Sequence, residues 1–298
     1  MISTQTTSGH ILNISQYLRI INELLKVRLS ALVAFSSAFG YILAQSGAVN
    51  WEVLAAVSLG GFLVSGGAGT INQILEIPYD KVMSRTQQRP LPAGIIGKRE
   101  AWAVAIFSTV FGLSILSAYT NTLTVALSAL SLVLYSFVYT PLKRVGPVAV
   151  FVGAVPGALP PLLGWVAATG VIGVEAIILF GIQFFWQFPH FWAIAWVGDE
   201  DYRKAGFKLL PMGGQKDFKT AIQIMSYTLF LLPLGLLPTK LGITGINSAI
   251  VATVCGALFL YQTFQLMGDC SRKSALRLMF GSFIYLPVVQ IAYLLDKI

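Results

Sequence analysis

The sequence predicts an all-α membrane protein with a bundle of nine transmembrane helices. Hydrophobic residues make up 56% of the 298 residues and charged residues only 11%, and the mean hydropathy is +0.75, which excludes an ordinary soluble domain. The apolar residues form continuous runs and do not alternate with polar ones, which disfavours an outer-membrane β-barrel. Basic residues concentrate in every second loop, as expected of a polytopic helical protein.

Nine apolar runs have about the length of a membrane-spanning helix, roughly 17 to 25 residues. They are Leu29–Val49, Val53–Leu75, Ala101–Ala118, Leu123–Val138, Pro147–Val166, Val174–Val197, Ala221–Leu237, Ser248–Leu266 and Leu278–Leu295. The segment ISQYLRIINELLKVRLS, which precedes the first run, is amphipathic and is expected to lie on the membrane surface. We therefore predict a tail and surface segment over residues 1–28, followed by one transmembrane domain over residues 29–298.

The distribution of basic residues predicts the orientation. Eighteen of the 20 Lys and Arg residues fall on one side of the membrane, and only Lys240 and Lys297 fall on the other. By the positive-inside rule the N-terminus is cytoplasmic. The first ten residues have neither the features of a signal peptide nor those of a mitochondrial transit peptide, so a bacterial inner (cytoplasmic) membrane is the expected location. The net charge of +8 reflects mainly this topology and does not predict a nucleic-acid partner.

Polar residues gather where the second span ends, in the stretch NQILEIPYDKVMSRTQQRPLP. Asn72, Glu76 and Asp80 are spaced four apart, so Asn72 and Glu76 share a helix face, while Pro78 is expected to break or kink the helix before Asp80. The free carbonyl groups of a helix C-terminus add negative character. Hard oxygen ligands of this type suit Mg²⁺ bridged to phosphate oxygens, and we predict that all three residues bind the metal.

Basic residues that match a diphosphate follow directly. Arg85 and Arg89 lie four residues apart in the next loop, and guanidinium groups fit phosphate geometry. Lys143 and Arg144, in YTPLKR, are expected to close the far side of the site. Taken singly, each of these residues is equally well explained as a solvated residue that sets the topology.

A second acidic cluster, DEDYRKAG, stands just beyond the sixth span and contains Asp199, Glu200 and Asp201. Spans two and six have the same orientation, so the two clusters are expected to face each other and to hold Mg²⁺ on one diphosphate. We predict that Asp199 and Asp201 bind metal and that Asp201 is the main ligand. The apolar bundle behind the clusters is then free to accept a hydrocarbon tail.

His190, in QFPHFW, lies within the sixth span toward its cytoplasmic end. A histidine inside the membrane is costly unless it has a partner. Two interpretations stay open, a hydrogen-bonded packing residue and a ligand-binding residue.

Several motifs together resemble the UbiA-type intramembrane prenyltransferases, and within them the branch that farnesylates heme B (protoheme IX). They are NQILEIPYD, MSRTQQRPLPAG, YTPLKR, GAVPGALPPLLGW, WQFPHFW and DYRKAGFKLLP. The resemblance extends from Lys26 to Pro287. Many members of the wider family have Asp where this chain has Glu76, and the second motif departs from their DxxxD pattern because Ala205 follows Asp201 by four residues.

The resemblance implies transfer of the farnesyl group of farnesyl diphosphate to a vinyl group of heme B, with Mg²⁺ as cofactor. It implies a catalytic role for Asn72, Glu76, Asp80 and Asp201, diphosphate binding by Arg85, Arg89, Lys143 and Arg144, heme binding by His190, and shielding of a carbocation by Tyr139. The implied partners are the lipid bilayer and a terminal oxidase assembly or heme A synthase.

Three alternatives remain open at this point. A quinone precursor or a chlorophyllide as acceptor would keep the acidic motifs but leave His190 without a role. A transporter would place its ionisable groups near the bilayer midplane, whereas this chain places them at one membrane edge. A structural subunit would not need two matching acidic clusters.

Overall fold

The structure is a computed structural model that describes residues 13–298. The first twelve residues, and with them much of the predicted tail, lie outside the described part. Of the described residues, 78% are helical. Within the described residues the only β-type pairing is an isolated bridge between Thr244 and Lys297. The all-α prediction is confirmed.

Fourteen helical elements follow one another along the described chain. They are α1 (Ile14–Leu24), α2 (Val27–Ala44), α3 (Trp51–Asp80), α4 (Lys98–Tyr119), α5 (Thr122–Val133), a π-helix (Leu134–Tyr139), α6 (Thr140–Leu142), α7 (Val148–Thr169), α8 (Val174–Val197), α9 (Asp199–Lys204), α10 (Phe218–Leu229), α11 (Leu231–Lys240), α12 (Ile246–Asp269) and α13 (Arg272–Leu295). Over residues 13–298 they provide nine helical stretches long and apolar enough to cross a membrane, which confirms the predicted number. The fourth stretch combines α5, the π-helix and α6, and the seventh combines α10 and α11.

Contacts with α3 stabilise the chain where α1 ends and α2 begins. Helix α1 starts with a capping box, in which the Asn13 side chain accepts from the Gln16 amide and the Gln16 side chain accepts from the Asn13 amide. At its end, Thr70 Oγ1 donates to Leu24 O, and Gln73 Nε2 donates to the same oxygen at 2.8 Å. These bonds satisfy carbonyl groups that the end of a helix leaves open. Lys26 then adopts a left-handed φ of 46°, and the chain turns into the first span.

Helix α3 corrects one expectation. The predicted break at Pro78 is wrong, because α3 continues through Pro78 to Asp80. Proline removes only its own N–H from the hydrogen-bond ladder, and Pro78 lies in the last turn, where few bonds depend on it. The next amide, that of Lys81, still donates to Ile77 O. The polar residues of α3 are therefore carried by a single continuous helix.

Alternate loops meet at the same end of the bundle. At one end, which we call the basic end, lie the connecting segments 81–97, 143–147 and 198–217, the last of which contains α9. Two of these segments are in contact, because the backbone amides of Ser84 and Arg85 donate to Asp201. At the opposite end, Lys297 Nζ donates to Ile42 O at 2.7 Å, and also to Gln45 O, at the C-terminus of α2. This arrangement agrees with the predicted division of basic residues between two sides.

Helices α2 and α7 approach each other closely through glycine. A Cβ atom at Gly164 would lie 1.9 Å from Ser37 O, and one at Gly40 would lie 2.0 Å from Pro161 O. Because apolar packing against lipid and against protein is similar in strength, helices in membranes associate through such close backbone contacts. The contact between α2 and α7 thus depends on the absence of two side chains.

We predict that Gly164→Ala lowers the melting temperature of the purified protein in detergent. The added methyl group would overlap the Ser37 carbonyl oxygen, and overpacking of this kind costs about 1–3 kcal/mol. Gly181→Ala in α8 is the matched control, because a Cβ atom there meets nothing within 4 Å. Since alanine favours a helix over glycine, the control should be as stable as the wild type or more so; equal melting temperatures for the two variants would contradict the prediction.

Candidate active site

Three polar residues form a column on one face of α3. Asn72, Glu76 and Asp80 lie at i, i+4 and i+8 and are 1%, 5% and 1% exposed. The continuous helix aligns all three, which goes beyond the sequence-based expectation for Asp80. Buried carboxylates are strongly destabilising unless they are paired, so their partners determine what the site can do.

Each carboxylate of the column faces a cation from a different part of the chain. Lys143 Nζ lies 2.8 Å from Glu76 Oε1, and Arg89 Nη1 donates to Asp80 Oδ2 at 2.9 Å. Lys143 follows α6, whereas Arg89 lies in the loop after α3. The structure therefore brings together the acidic residues and two of the four basic residues that the sequence predicted for one site.

One carboxylate of the column retains an oxygen without a partner. Asp80 Oδ1 is buried and has no hydrogen-bond partner in the described chain. Glu76 Oε1 is buried too, but it is paired with the Lys143 ammonium at 2.8 Å. Buried oxygens of this kind are the ligands that Mg²⁺ prefers, and the two carboxylates fit a divalent cation.

Asn72 is paired with a lysine. Lys26 Nζ donates to Asn72 Oδ1 at 2.9 Å, and Asn72 Nδ2 donates to Thr140 Oγ1 at 2.9 Å. Gly69, one turn before Asn72, leaves room for the Lys26 stem, since a Cβ atom there would lie 3.3 Å from the lysine Cδ. Burial lowers the pKa of Lys26 from its ordinary value. A third basic side chain is thus held against the column.

The π-helix positions the side of the site opposite α1. It ends at Tyr139, so Thr140 and Lys143 follow within the next turn. The Lys143 ammonium lies 4.7 Å from the centroid of the Tyr139 ring, in cation–π geometry. Gly153 admits that ring, because a Cβ atom there would lie 2.6 Å from it. π-helical turns are frequent at functional sites, and this one presents an aromatic face beside the Glu76 ion pair.

Burial alone would lower the pKa of Lys143, but Tyr139 and Glu76 outweigh it and hold this pKa above its ordinary value. Lys143 is therefore charged at physiological pH, although its side chain is only 12% exposed.

The second acidic cluster divides between two sets of partners. Asp201 accepts from the backbone amides of Ser84 at 3.2 Å and Arg85 at 3.1 Å, and so contacts the loop that carries Arg89. Asp199 instead pairs with Arg203 at 2.9 Å and Lys216 at 3.6 Å. Glu200 is exposed. The structure thus holds Asp201 against the loop that follows α3 and holds Asp199 against the segment 203–216.

Across residues 13–298, no three His, Cys, Asp or Glu side chains form a group that could hold a metal ion by themselves. Metal binding by Glu76 and Asp80 would therefore need further ligands, such as water or phosphate oxygens, which is the usual situation for Mg²⁺.

Two of the predicted basic residues lie at the rim. Arg85 is exposed, with its guanidinium 5.8 Å from the centroid of the Tyr202 ring. Arg144, also exposed, donates to the Tyr79 hydroxyl at 2.8 Å. The loop 81–97 consists of turns, so the four-residue spacing of Arg85 and Arg89 does not place them on one helix face.

His190 lies apart from the column, where α8 packs on α13. Its Nδ1 is 2.8 Å from Ser282 Oγ, and its ring stacks on Trp186 with centroids 4.5 Å apart. The histidine therefore has the partner that a buried position requires. This geometry suits both interpretations given above, the packing residue and the ligand-binding residue.

Sequence reasoning missed two members of the site. Lys26 was counted only among the residues that set the topology, and Thr140 was not considered. The signal for Lys26 is weak, because no glycine or proline marks the break at this position; the break depends on Thr70 and Gln73, which lie more than forty residues further along the chain. Thr140 lies within the motif YTPLKR, directly after Tyr139, so this motif is the signal that could have found it.

Comparison with known proteins bears on this geometry. The sequence model of the "UbiA prenyltransferase family" matches residues 33–286. The chain is 55% identical to the protoheme IX farnesyltransferase of Cytophaga hutchinsonii over 276 residues, which are 93% of this chain and 96% of the relative. It is 43% identical to the protoheme IX farnesyltransferase of Christiangramia forsetii over 280 residues, 92% of each chain.

Solved structures share the fold. A digeranylgeranylglyceryl phosphate synthase superimposes with a TM-score of 0.78 and 22% identity, over 94% of this chain and 98% of the other. A UbiA homologue from Archaeoglobus fulgidus, bound to DMAPP and Mg²⁺, superimposes with a TM-score of 0.65 and 18% identity, over 92% and 98%. At these identities the likeness extends to the fold.

We predict that Asp201→Asn increases amide hydrogen exchange at Ser84 and Arg85. Burial would raise the pKa of Asp201, but hydrogen bonds from the Arg85 and Ser84 amides outweigh it and lower this pKa. Because the folded-state pKa is depressed, the stabilisation is complete above the ordinary aspartate range and is lost as the pH falls through the lowered value. Wild-type protection should therefore persist into mildly acidic solution.

Exchange measured by mass spectrometry on peptides from the loop 81–97 provides the test. Glu200→Gln is the matched control, since Glu200 is the exposed neighbour in the same helix. Identical exchange in Asp201→Asn, Glu200→Gln and wild type would show that Asp201 does not anchor the loop.

Proposed function

The chain belongs to the UbiA prenyltransferase family, and from this premise we propose that it transfers the farnesyl group of farnesyl diphosphate to a vinyl group of heme B, giving heme O and diphosphate. Both substrates are proposed from the likeness to relatives named protoheme IX farnesyltransferase. The structural observation that supports a prenyl diphosphate site is the pair of buried carboxylates, Glu76 and Asp80, which face Lys143 and Arg89 at one end of an apolar bundle.

Mg²⁺ is the proposed cofactor, with Glu76 and Asp80 as ligands and Asn72 as a further oxygen donor. The Archaeoglobus fulgidus homologue solved with DMAPP and Mg²⁺ supports a divalent metal at a site of this kind. Asp201 is proposed as the ligand from the second cluster, and Asp199 as a ligand only if its pairs with Arg203 and Lys216 open. When bound, Mg²⁺ supplies positive charge that stabilises the departing diphosphate.

The basic residues are proposed to change partners when substrate binds. Lys143, Arg89 and Lys26 already point at the column, and in the substrate complex they turn to phosphate oxygens while the carboxylates turn to the metal. Charge-assisted contacts of this kind are the stronger hydrogen bonds in proteins. Arg85 and Arg144, at the exposed rim, are positioned to attract the diphosphate from solution.

The reaction needs shielding as well as charge. The bond between C1 of the farnesyl group and the diphosphate oxygen breaks, and a bond forms from C1 to the terminal carbon of the heme vinyl group. Water adds to the vinyl carbon next to the porphyrin ring and loses a proton, giving the hydroxyethylfarnesyl side chain. We propose that the buried Tyr139 ring faces the developing allylic cation and excludes water from it until the new carbon–carbon bond has formed.

The acceptor is proposed to lie deeper in the bundle. His190 precedes the end of α8 at Val197 by seven residues, and at about 1.5 Å per helical residue this is on the order of 10 Å along the axis of α8. A porphyrin bound at His190 would leave room for the farnesyl tail between the porphyrin and the diphosphate. His190 distinguishes heme from the alternative acceptors, quinone precursors and chlorophyllides.

We further propose that the protein lies in a bacterial inner membrane with the basic end and the active site facing the cytoplasm, because 18 of the 20 basic residues are on that side. Heme O is hydrophobic, so its consumer is expected in the same membrane; a heme A synthase or a terminal oxidase assembly fits that chemistry.

We predict that expressing the chain in cells deficient in heme O synthesis restores heme O, and that Glu76→Gln or Asp80→Asn abolishes the restoration. Each substitution removes the negative charge of a proposed metal ligand while retaining the side-chain shape. Mass spectrometry of extracted hemes measures the product. Purified wild type should also lose farnesyl transfer in excess chelator and regain it with Mg²⁺.

The matched control is Glu52→Gln, which alters an exposed carboxylate in the first turn of the same helix, at the opposite end of the bundle. It should retain full activity. Membrane insertion of all three variants is checked by their yield and melting temperature. Near-normal turnover by Glu76→Gln or Asp80→Asn would overturn the proposed metal site, and absence of heme O from the wild-type strain would overturn the proposed reaction.

We predict that Lys26→Met, Arg85→Ala and Arg89→Ala weaken binding of farnesyl diphosphate more than binding of heme. Contacts to a charged group contribute about 1.5–3 kcal/mol, which corresponds to roughly a tenfold to 150-fold loss of affinity. The loss should be larger for the inward-facing Lys26 and Arg89 than for the exposed Arg85. Titrating each purified variant with both substrates measures the difference.

Lys81→Met is the control for this series, because Lys81 is an exposed lysine directly after α3. It should bind both substrates as the wild type does. Equal losses of heme and farnesyl diphosphate affinity in Lys26→Met would point to a folding defect and against a diphosphate contact.

A further inference from the structure

A short series of hydrogen bonds connects His190, on α8, to α13. Ser282 Oγ is 2.8 Å from His190 Nδ1, and the same hydroxyl donates to Met279 O at 2.6 Å. Ser282 is fully buried, at 0% exposure. Its own carbonyl oxygen accepts from Trp186 Nε1 at 3.0 Å. One serine therefore links the histidine, the backbone of α13 and the indole that lies beside the histidine.

The direction of these bonds determines where the imidazole proton lies. A hydroxyl group has a single proton to donate; Met279 O can only accept and lies 2.6 Å from Ser282 Oγ, the shorter of its two contacts, which favours donation to Met279 O. At the contact with His190, Ser282 Oγ is then the acceptor, and Nδ1 carries the hydrogen. A neutral imidazole protonated at Nδ1 presents a free lone pair at Nε2, the arrangement in which the partner of one nitrogen selects the other for a metal.

Aromatic contacts fix the plane of the same ring. Trp186 stacks on His190 with an interplanar angle of 19°, and Phe283 meets it edge-on with centroids 5.1 Å apart. In the described chain no hydrogen bond is formed at Nε2.

We infer that Ser282 is a positioning residue for the acceptor: it selects the Nδ1-protonated tautomer of His190 and directs Nε2 to the iron of bound heme. The inference rests on the proposed function, in which heme B is the acceptor. Ser282 does not touch the substrate; it acts through His190, as outer-shell partners of metal-binding histidines do.

Titration of the purified protein with ferric heme B, followed by the Soret band and by electron paramagnetic resonance, tests the inference. His190→Ala should lose the spectral signature of histidine ligation. Ser282→Ala should retain a weakened form of it, with heme affinity reduced roughly 10- to 100-fold, the usual effect of losing an outer-shell partner. In the His190→Ala background, Ser282→Ala should cause no further loss of heme affinity, because its effect passes through the histidine.

Ser128→Ala is the matched control, since Ser128 is also a buried helical serine that donates to a backbone carbonyl, that of Thr124 at 2.8 Å. It should leave heme binding unchanged. The melting temperature and the affinity for farnesyl diphosphate are measured for every variant. If Ser282→Ala lowers both substrates' affinities equally, or lowers heme affinity equally with and without His190, Ser282 has only a structural role and the inference is overturned.

The outcomes separate this inference from the proposed function. If His190→Ala abolishes the ligation signature but Ser282→Ala binds heme as the wild type does, His190 is a ligand and only the role of Ser282 is wrong. If the wild-type spectrum is unaffected by His190→Ala, the proposed heme ligation fails, and the inference about Ser282 fails with it.

Discussion

Burial of two carboxylates at the end of α3 constrains the rest of the structure. Glu76 and Asp80 are almost inaccessible, and an unpaired buried carboxylate would cost several kcal/mol. The chain supplies Lys143 and Arg89 to them, and Lys26 to the neighbouring Asn72. Each cation comes from a segment where regular α-helix is interrupted: the loop after α3, the end of the π-helical span, and the left-handed residue between α1 and α2.

Two of these interrupted segments place a side chain against a neighbouring helix, and that helix has a glycine at the point of contact. Gly69 admits the Lys26 stem, and Gly153 admits the Tyr139 ring that lies beside Lys143. A side chain at either glycine would displace a cation or its neighbour from the column. Glycines of this bundle therefore serve helix contact at Gly40 and Gly164 and site assembly at Gly69 and Gly153.

The sequence predicts the spans well because they depend on local composition, and local composition also identifies the acidic clusters. Nine apolar runs are enough to place nine helices, and Glu76 and Asp80 stand out as charges beside a long apolar segment. Two errors show where local reasoning fails. The predicted break of α3 at Pro78 does not occur, because the position of Pro78 in the last turn leaves few bonds to lose. Lys26 was missed because its break is imposed by Thr70 and Gln73, which are distant in sequence, and a single sequence contains no signal for such contacts.

The resting ion pairs also determine how substrate and metal enter the proposed reaction. Mg²⁺ alone, bound to Glu76 and Asp80, would deprive Lys143 and Arg89 of their counter-charges in a site of low dielectric constant. Diphosphate alone, bound to the two cations, would leave the carboxylates unpaired. Either event costs about as much as breaking a buried ion pair, roughly 3–5 kcal/mol. Only the magnesium–diphosphate complex offers each group a partner of opposite charge, so the site favours the two ligands together over either one alone.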